Sequence, residues 1–172
     1  EIIESLLALS RYENGTQDLE YEQISLRKFT EDCWSPFTQR AEEKKISLTM
    51  NIPNEYVIET DPKILRLILN NLFSNATEYT PSEGTICISG NQSIEGQILR
   101  ISNSIKDFDE EMLSHLFERL WRGDLSRTDG SHSGLGLALS KACSKCLGLN
   151  LDAQLIKSDH IEFVLSRTNI EK

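Results

Sequence analysis

DPKILRLILNNLFSNATEYTP, residues 61–81, reads as an amphipathic helix that turns polar where its buried surface should continue. Asp61 suits the N-cap and Pro62 the first helical position, so the start of the helix is well marked. On a wheel of 3.6 residues per turn, Leu65, Leu69, Leu72, Phe73 and Ala76 share one face and Ile64, Leu67 and Ile68 an adjoining one. Arg66, Asn70, Ser74 and Thr77 are left for solvent, and Asn71, Asn75 and Glu78 fall below Ile64, Leu67 and Ile68. Asparagine is a mediocre helix former, so two of them a turn apart on an inward arc suggest a polar occupant facing that arc. Their amide oxygens could hold a hydrated Mg²⁺ provided an anionic partner, such as a phosphate, supplies the charge. Ordinary surface asparagines are the alternative that the stretch by itself leaves open.

The remainder reads as alternating strands and helices. Residues 1–13 carry an apolar stripe of Ile2, Leu6 and Leu9 beside Ile3 and Leu7, with Gly15 placed to stop the helix. A short strand at Tyr21–Ile24 leads to a Ser25 N-cap and a helix to about Lys45, kinked at Pro36. Strands follow around Ile46–Met50 and Val57–Ile58, and residues 85–90 and 97–103 pair as a hairpin. In its second strand Leu99, Ile101 and Asn103 point one way and Ile98, Arg100 and Ser102 the other, so Asn103 faces where the hydrophobic residues face. A helix at about 109–116 comes next, and the Gly-, Ser-, Asp- and Thr-rich stretch 122–133 reads as a loop. A helix opened by Gly134 and Gly136 then turns Leu135, Ala138, Leu139, Ala142, Cys143 and Cys146 inward and Lys141 and Lys145 outward, and Gly148 closes it. Two alternating strands end the chain, giving an α+β sandwich with helices on one face of a mixed sheet.

The 172 residues, 38% hydrophobic and 26% charged, suffice for one good core with an appendage, and the start inside a helical pattern reads as part of a larger protein. A formal charge of −9 and a pI near 4.9 leave no basic stripe for nucleic acid, and no apolar run reaches membrane-spanning length. Cys143 and Cys146 have metal-like spacing, but with no second pair or nearby histidine the four cysteines read as free thiols of a reducing compartment.

Three motifs in order resemble those of sensor histidine kinases: NLFSNATEYTP the N box, FERLWRGD (117–124) the F box, and HSGLGLALSK (132–141) the second glycine box. The resemblance implies the Bergerat ATP-binding fold, with residues 1–15 as the end of a dimerisation hairpin and 16–172 as the catalytic domain. It implies ATP and Mg²⁺ as cofactors, with Asn71 and Asn75 at the metal. The implied nucleotide site comprises Asn71, Asn75, Tyr79, Asn103, Arg119, Arg122, Gly134, Leu135, Gly136 and Leu137. Implied partners are the protein's own hairpin, in a homodimer, and a response regulator receiver domain; the implied location is the cytoplasmic part of a membrane-anchored bacterial sensor. His115, His132 and His160 do not sit in an acceptor-like motif, so the chain alone is not expected to phosphorylate itself.

Arg119 and Arg122 can contact phosphates or pair with acidic neighbours, and Tyr79 can line the adenine pocket or the core. Related gyrase, repair and chaperone ATPases place a glutamate where Asn71 stands, and an amide cannot activate water as that base does. Where the family's first glycine box reads Asp-x-Gly-x-Gly, this chain reads Asn103-Ser104-Ile105-Lys106-Asp107, and Glu78 replaces the usual N-box lysine. These departures define the rival expectation, a degenerate pseudokinase-like scaffold. A stand-alone ATPase is the third.

Overall fold

A computed structural model describes residues 2–13, 18–91, 96–121, 134–156 and 159–168. Five strands form the main sheet in the order β2 (Ser47–Asn51), β4 (Thr85–Ser89), β5 (Gln97–Ser104), β7 (His160–Arg167), β6 (Leu149–Ile156). All neighbours are antiparallel except β2 and β4, whose parallel pairing requires the intervening chain to cross over. That crossover contains β3 (Val57–Thr60), which pairs with β1 (Glu22–Ser25) in a separate two-stranded sheet, and α4 (Pro62–Tyr79).

Helix α4 is the centre of the core: Leu65, Ile68, Leu69, Leu72, Phe73 and Ala76 are buried against Ile86, Ile88, Leu99 and Ile101 of the sheet. Truncating one such leucine to alanine costs about 2–5 kcal/mol. Its start is fixed as the sequence indicates, because Asp61 Oδ1 accepts from the Lys63 and Ile64 N–H groups at 2.9 and 3.2 Å. The other oxygen, Oδ2, accepts from Glu20 N–H, tying the cap to the preceding segment. At the far end Lys44 Nζ donates to the Thr77 and Glu78 carbonyls at 2.9 and 2.7 Å, a cation on the negative pole of the helix. Thr77 is fully buried rather than solvent-facing; its hydroxyl donates to the Phe73 carbonyl, so the helix itself satisfies the group that would oppose burial.

Pro36 breaks the expected single helix into α2 (Leu26–Trp34), a 3-10 turn (Ser35–Phe37) and α3 (Thr38–Glu43). Trp34, Phe37 and Phe73 meet there in tilted and edge-on ring contacts that seat α2 on α4. The short α5 (Glu110–His115) is N-capped by Asp109, whose Oδ1 accepts from Met112 N–H. Helix α6 (Gly136–Cys146) packs between α4 and α1 (Ile2–Glu13). The apolar stripe of α1 is shared: Leu9 is buried against the core, while Ile3 and Leu7 are exposed. Lys141 does not face outward freely, because its ammonium donates to the Leu151 carbonyl and pairs with Asp152 Oδ1 at 3.0 Å.

Candidate nucleotide site

Asn71 and Asn75 are half-buried on α4, and Asn71 lies where α6 begins. Gly136 opens α6 against Asn71, and a Cβ at that glycine would stand 3.3 Å from Asn71 Oδ1. Asn75 donates its amide Nδ2 to the Asn71 main-chain oxygen at 2.8 Å, so its own Oδ1 is the atom left to meet a ligand. Asn71 Nδ2 is buried without a hydrogen-bond partner, a cost a folded chain rarely carries without purpose. The first intrahelical bond of α6 runs from Leu139 N–H to the Leu135 carbonyl, so the preceding N–H groups lie outside the helix's own ladder and suit an anion.

This donor set fits Mg²⁺ only in company. Two neutral amide oxygens are hard ligands of the right kind, and among the described residues no group of three or more His, Cys, Asp or Glu is placed to hold a metal. A cation here would need a polyphosphate to supply the missing negative charge.

The glycine turn before α6 is sterically required. Gly134 takes φ +68, and a Cβ there would lie 2.8 Å from the Trp121 carbonyl oxygen. Leu120 N–H donates to the Gly134 carbonyl at 3.0 Å, which brings the end of the F-box segment onto the glycine turn. Phe117 anchors that segment by an edge-on contact with Phe163, and the Lys141 ammonium lies 5.1 Å from its ring centre. Leu135 is buried in the core and Leu137 half-buried beside it.

Arg119 is engaged elsewhere: Nη2 donates to both Glu13 oxygens at 2.5 and 2.6 Å, joining the F box to the end of α1. Tyr79 is 43% exposed and so is not a core tyrosine. Arg122 lies outside the described residues. Glu78 is half-buried beside Lys44, whose pKa is lowered chiefly by burial and also by Arg40, with Glu78 opposing.

Asn103 is 2% exposed on the helix-facing side of β5, opposite Ile86 and Ile161 in register. Its Nδ2 donates to the Ser104 carbonyl at 3.0 Å. In the altered glycine box Asp107 takes φ +52, a left-handed conformation that aspartate tolerates better than most residues. Ile105, at the other lost glycine, is buried and adds to the core.

Lys44, Glu13, Ser104, Thr80 and the pair Asp159 and His160 were not singled out by the sequence. Thr80 is fully buried with an unpartnered hydroxyl; beyond its place after Tyr79 no sequence signal marks it.

Helices α4 and α6 pack together over a mixed sheet, with Asn71 against the glycine start of α6 and Asn103 buried at the end of β5. The chain belongs to the histidine kinase-, DNA gyrase B- and HSP90-like ATPase family, whose model matches residues 60–168. It is similar over 172 residues to the sensor histidine kinase GraS of Staphylococcus epidermidis, 26% identical, covering 98% of this chain and 49% of the relative. The fold matches the Acinetobacter baumannii histidine kinase AdeS with a TM-score of 0.77 at 23% identity, covering 97% of this chain and 77% of that one. Full-length ShkA in complex with AMPPNP matches with a TM-score of 0.75 at 20% identity, covering 96% of this chain and 35% of that one. The chain spans about half the length of GraS, and it is a catalytic, ATP-binding domain of the sensor histidine kinase kind.

Proposed function

We propose that the chain binds ATP with Mg²⁺ where α4 meets α6 and delivers the γ-phosphate to a histidine on a helical hairpin whose last turns are α1. The observation that carries this reading is the placing of Asn71: its amide oxygen abuts the glycine start of α6 and its buried amide nitrogen has no partner. When bound, Mg²⁺ would neutralise phosphate charge. The chain's own part is to hold and orient. The amide oxygens of Asn71 and Asn75 would hold the metal with its phosphates, the first-turn N–H groups of α6 would bind phosphate oxygens, and Asn103 would read the base.

An amide at Asn71 cannot take a proton from water, so the chain has no general base there for hydrolysis. The γ-phosphate is thereby kept for an attacking imidazole, which brings its own nucleophilic nitrogen. We assign residues 1–15 to the end of that dimerisation hairpin and 16–172 to the catalytic domain. The hairpin in a homodimer and the receiver domain of a response regulator are the partners, in the cytoplasm. No described helix is long and apolar enough to cross a membrane.

The test is phosphate transfer in trans. The 172-residue chain with γ-labelled ATP and Mg²⁺ should not label itself, and should place acid-labile, base-stable phosphate on the parent protein's histidine-bearing hairpin. Label on the chain itself, or fast hydrolysis without the hairpin, would contradict the assignment.

A further inference from the structure

We propose that Ser104 is a specificity-positioning residue: the Ser104–Ile105 peptide locks the Asn103 carboxamide so that only its oxygen is presented to the nucleobase. The inference rests on the assignment of Asn103 to the base site. An unrestrained amide is a poor discriminator, because rotating about its last bond exchanges an acceptor for a donor and would suit a 6-oxopurine as well as adenine.

Here the rotation is blocked. Asn103 Nδ2 donates to the Ser104 carbonyl at 3.0 Å, and the turned amide would set two acceptor oxygens against each other. The orientation of that carbonyl is itself fixed. Its peptide is trans, so the N–H of Ile105 points opposite to the Ser104 carbonyl, and that N–H donates to the Asp159 carbonyl at 2.9 Å.

On the open face of the sheet a second set of bonds holds the same residue. Ser104 Oγ accepts from Thr85 N–H at 3.0 Å, and lies 3.0 Å from Thr85 Oγ1 and 3.3 Å from His160 Nε2. His160 Nδ1 in turn lies 2.9 Å from Asp159 Oδ1, so Nδ1–H donates to the carboxylate and the ring is held beside Ser104. Ile105, buried where the family resemblance implies a glycine, restricts the peptide further. Asn103 and Ile105 thus form one arrangement: an amide needs a lock that a carboxylate, with two equivalent acceptors, does not.

The probes are ATP and inosine triphosphate, which differ at the 6-position and the N1 hydrogen. In equilibrium titrations of the 172-residue chain with Mg²⁺, ATP should bind roughly tenfold more tightly, the scale of one lost hydrogen bond plus an unpaired acceptor. Ser104→Gly, which removes the hydroxyl and frees the backbone, should cut that ratio at least threefold, while Ser104→Thr should keep it. Because both affinities are read on the same folded molecules, the ratio is insensitive to general destabilisation; if Ser104→Gly does not fold, Ser104→Ala carries the test. In an Asn103→Asp background the Ser104→Gly change should leave the ratio untouched. A parental ratio in Ser104→Gly, with the ratio collapsed in Asn103→Leu, would overturn the lock while leaving Asn103 at the base. A parental ratio in Asn103→Leu would remove Asn103 from the site, and the lock with it.

Discussion

Gly136 stands so close to Asn71 that a Cβ at the glycine would come within 3.3 Å of the Asn71 amide oxygen. The approach joins the two helices that bound the proposed nucleotide site, and the Asn71 amide nitrogen is buried and unbonded.

Asn75→Ala should weaken ATP binding in the presence of Mg²⁺ by tenfold or more, because it removes one of two proposed metal-facing oxygens. Its thermal midpoint should stay close to the parent's, since among the described residues the side chain bonds only the Asn71 main-chain oxygen of its own helix. Titration calorimetry and a melting curve on the same sample check both halves; unaltered binding would sink the assignment of Asn75 to the metal.

Arg119 and Glu13 form an ion pair with side chains 56% and 41% exposed, so breaking it should alter stability by no more than about 1 kcal/mol. Glu13→Gln should instead free the guanidinium and strengthen ATP binding several-fold, with adenosine unaffected. Equal gains for both ligands would mean that Arg119 does not reach phosphate.

Gly134→Ala places a side chain at φ +68 and 2.8 Å from the Trp121 carbonyl oxygen. Strain of this kind costs on the order of 1–3 kcal/mol. Urea denaturation should register a loss in that range, and a variant as stable as the parent would show that the glycine turn yields easily.

Burial pushes the Cys143 thiol up to about 12 and the Cys33 thiol up to about 11 from an ordinary 9.0. A raised folded-state pKa favours the neutral thiol, so its contribution to stability is complete below the ordinary 9.0, where the unfolded thiols titrate, and declines as pH rises toward the folded values of about 11 and about 12. Stability should therefore fall on the alkaline side, and less so in Cys33→Ser together with Cys143→Ala once their neutral-pH cost is subtracted. In the native state a thiol reagent at pH 8 should react with half-exposed Cys87 well before Cys33 or Cys143.

Periodicity alone recovered much of this molecule. The wheel of residues 61–81 placed Asn71 and Asn75 on the inward arc, and the alternation of β5 placed Asn103 beside Leu99 and Ile101, because a helix or strand fixes side-chain direction within a few residues. What the sequence concealed depends on contacts between distant segments. Lys44 reaches the end of α4 across 33 positions, and Glu13 meets Arg119 across 106; no local pattern encodes either. Thr77 and Lys141 were assigned to solvent because they are polar, yet the first is satisfied by its own helix and the second by the edge of β6. At the two positions where the first glycine box lacks its glycines, Asp107 takes a positive φ and Ile105 is buried in the core, neither of which the sequence pattern announced.

The most direct test of the account is an ATP titration of the 172-residue chain with and without Mg²⁺. Saturable one-site binding that weakens at least tenfold when Mg²⁺ is chelated is the expected result, because neutral Asn71 and Asn75 require cation and polyphosphate together. Absence of saturable ATP binding with Mg²⁺ present would contradict the account and leave the fold as a scaffold.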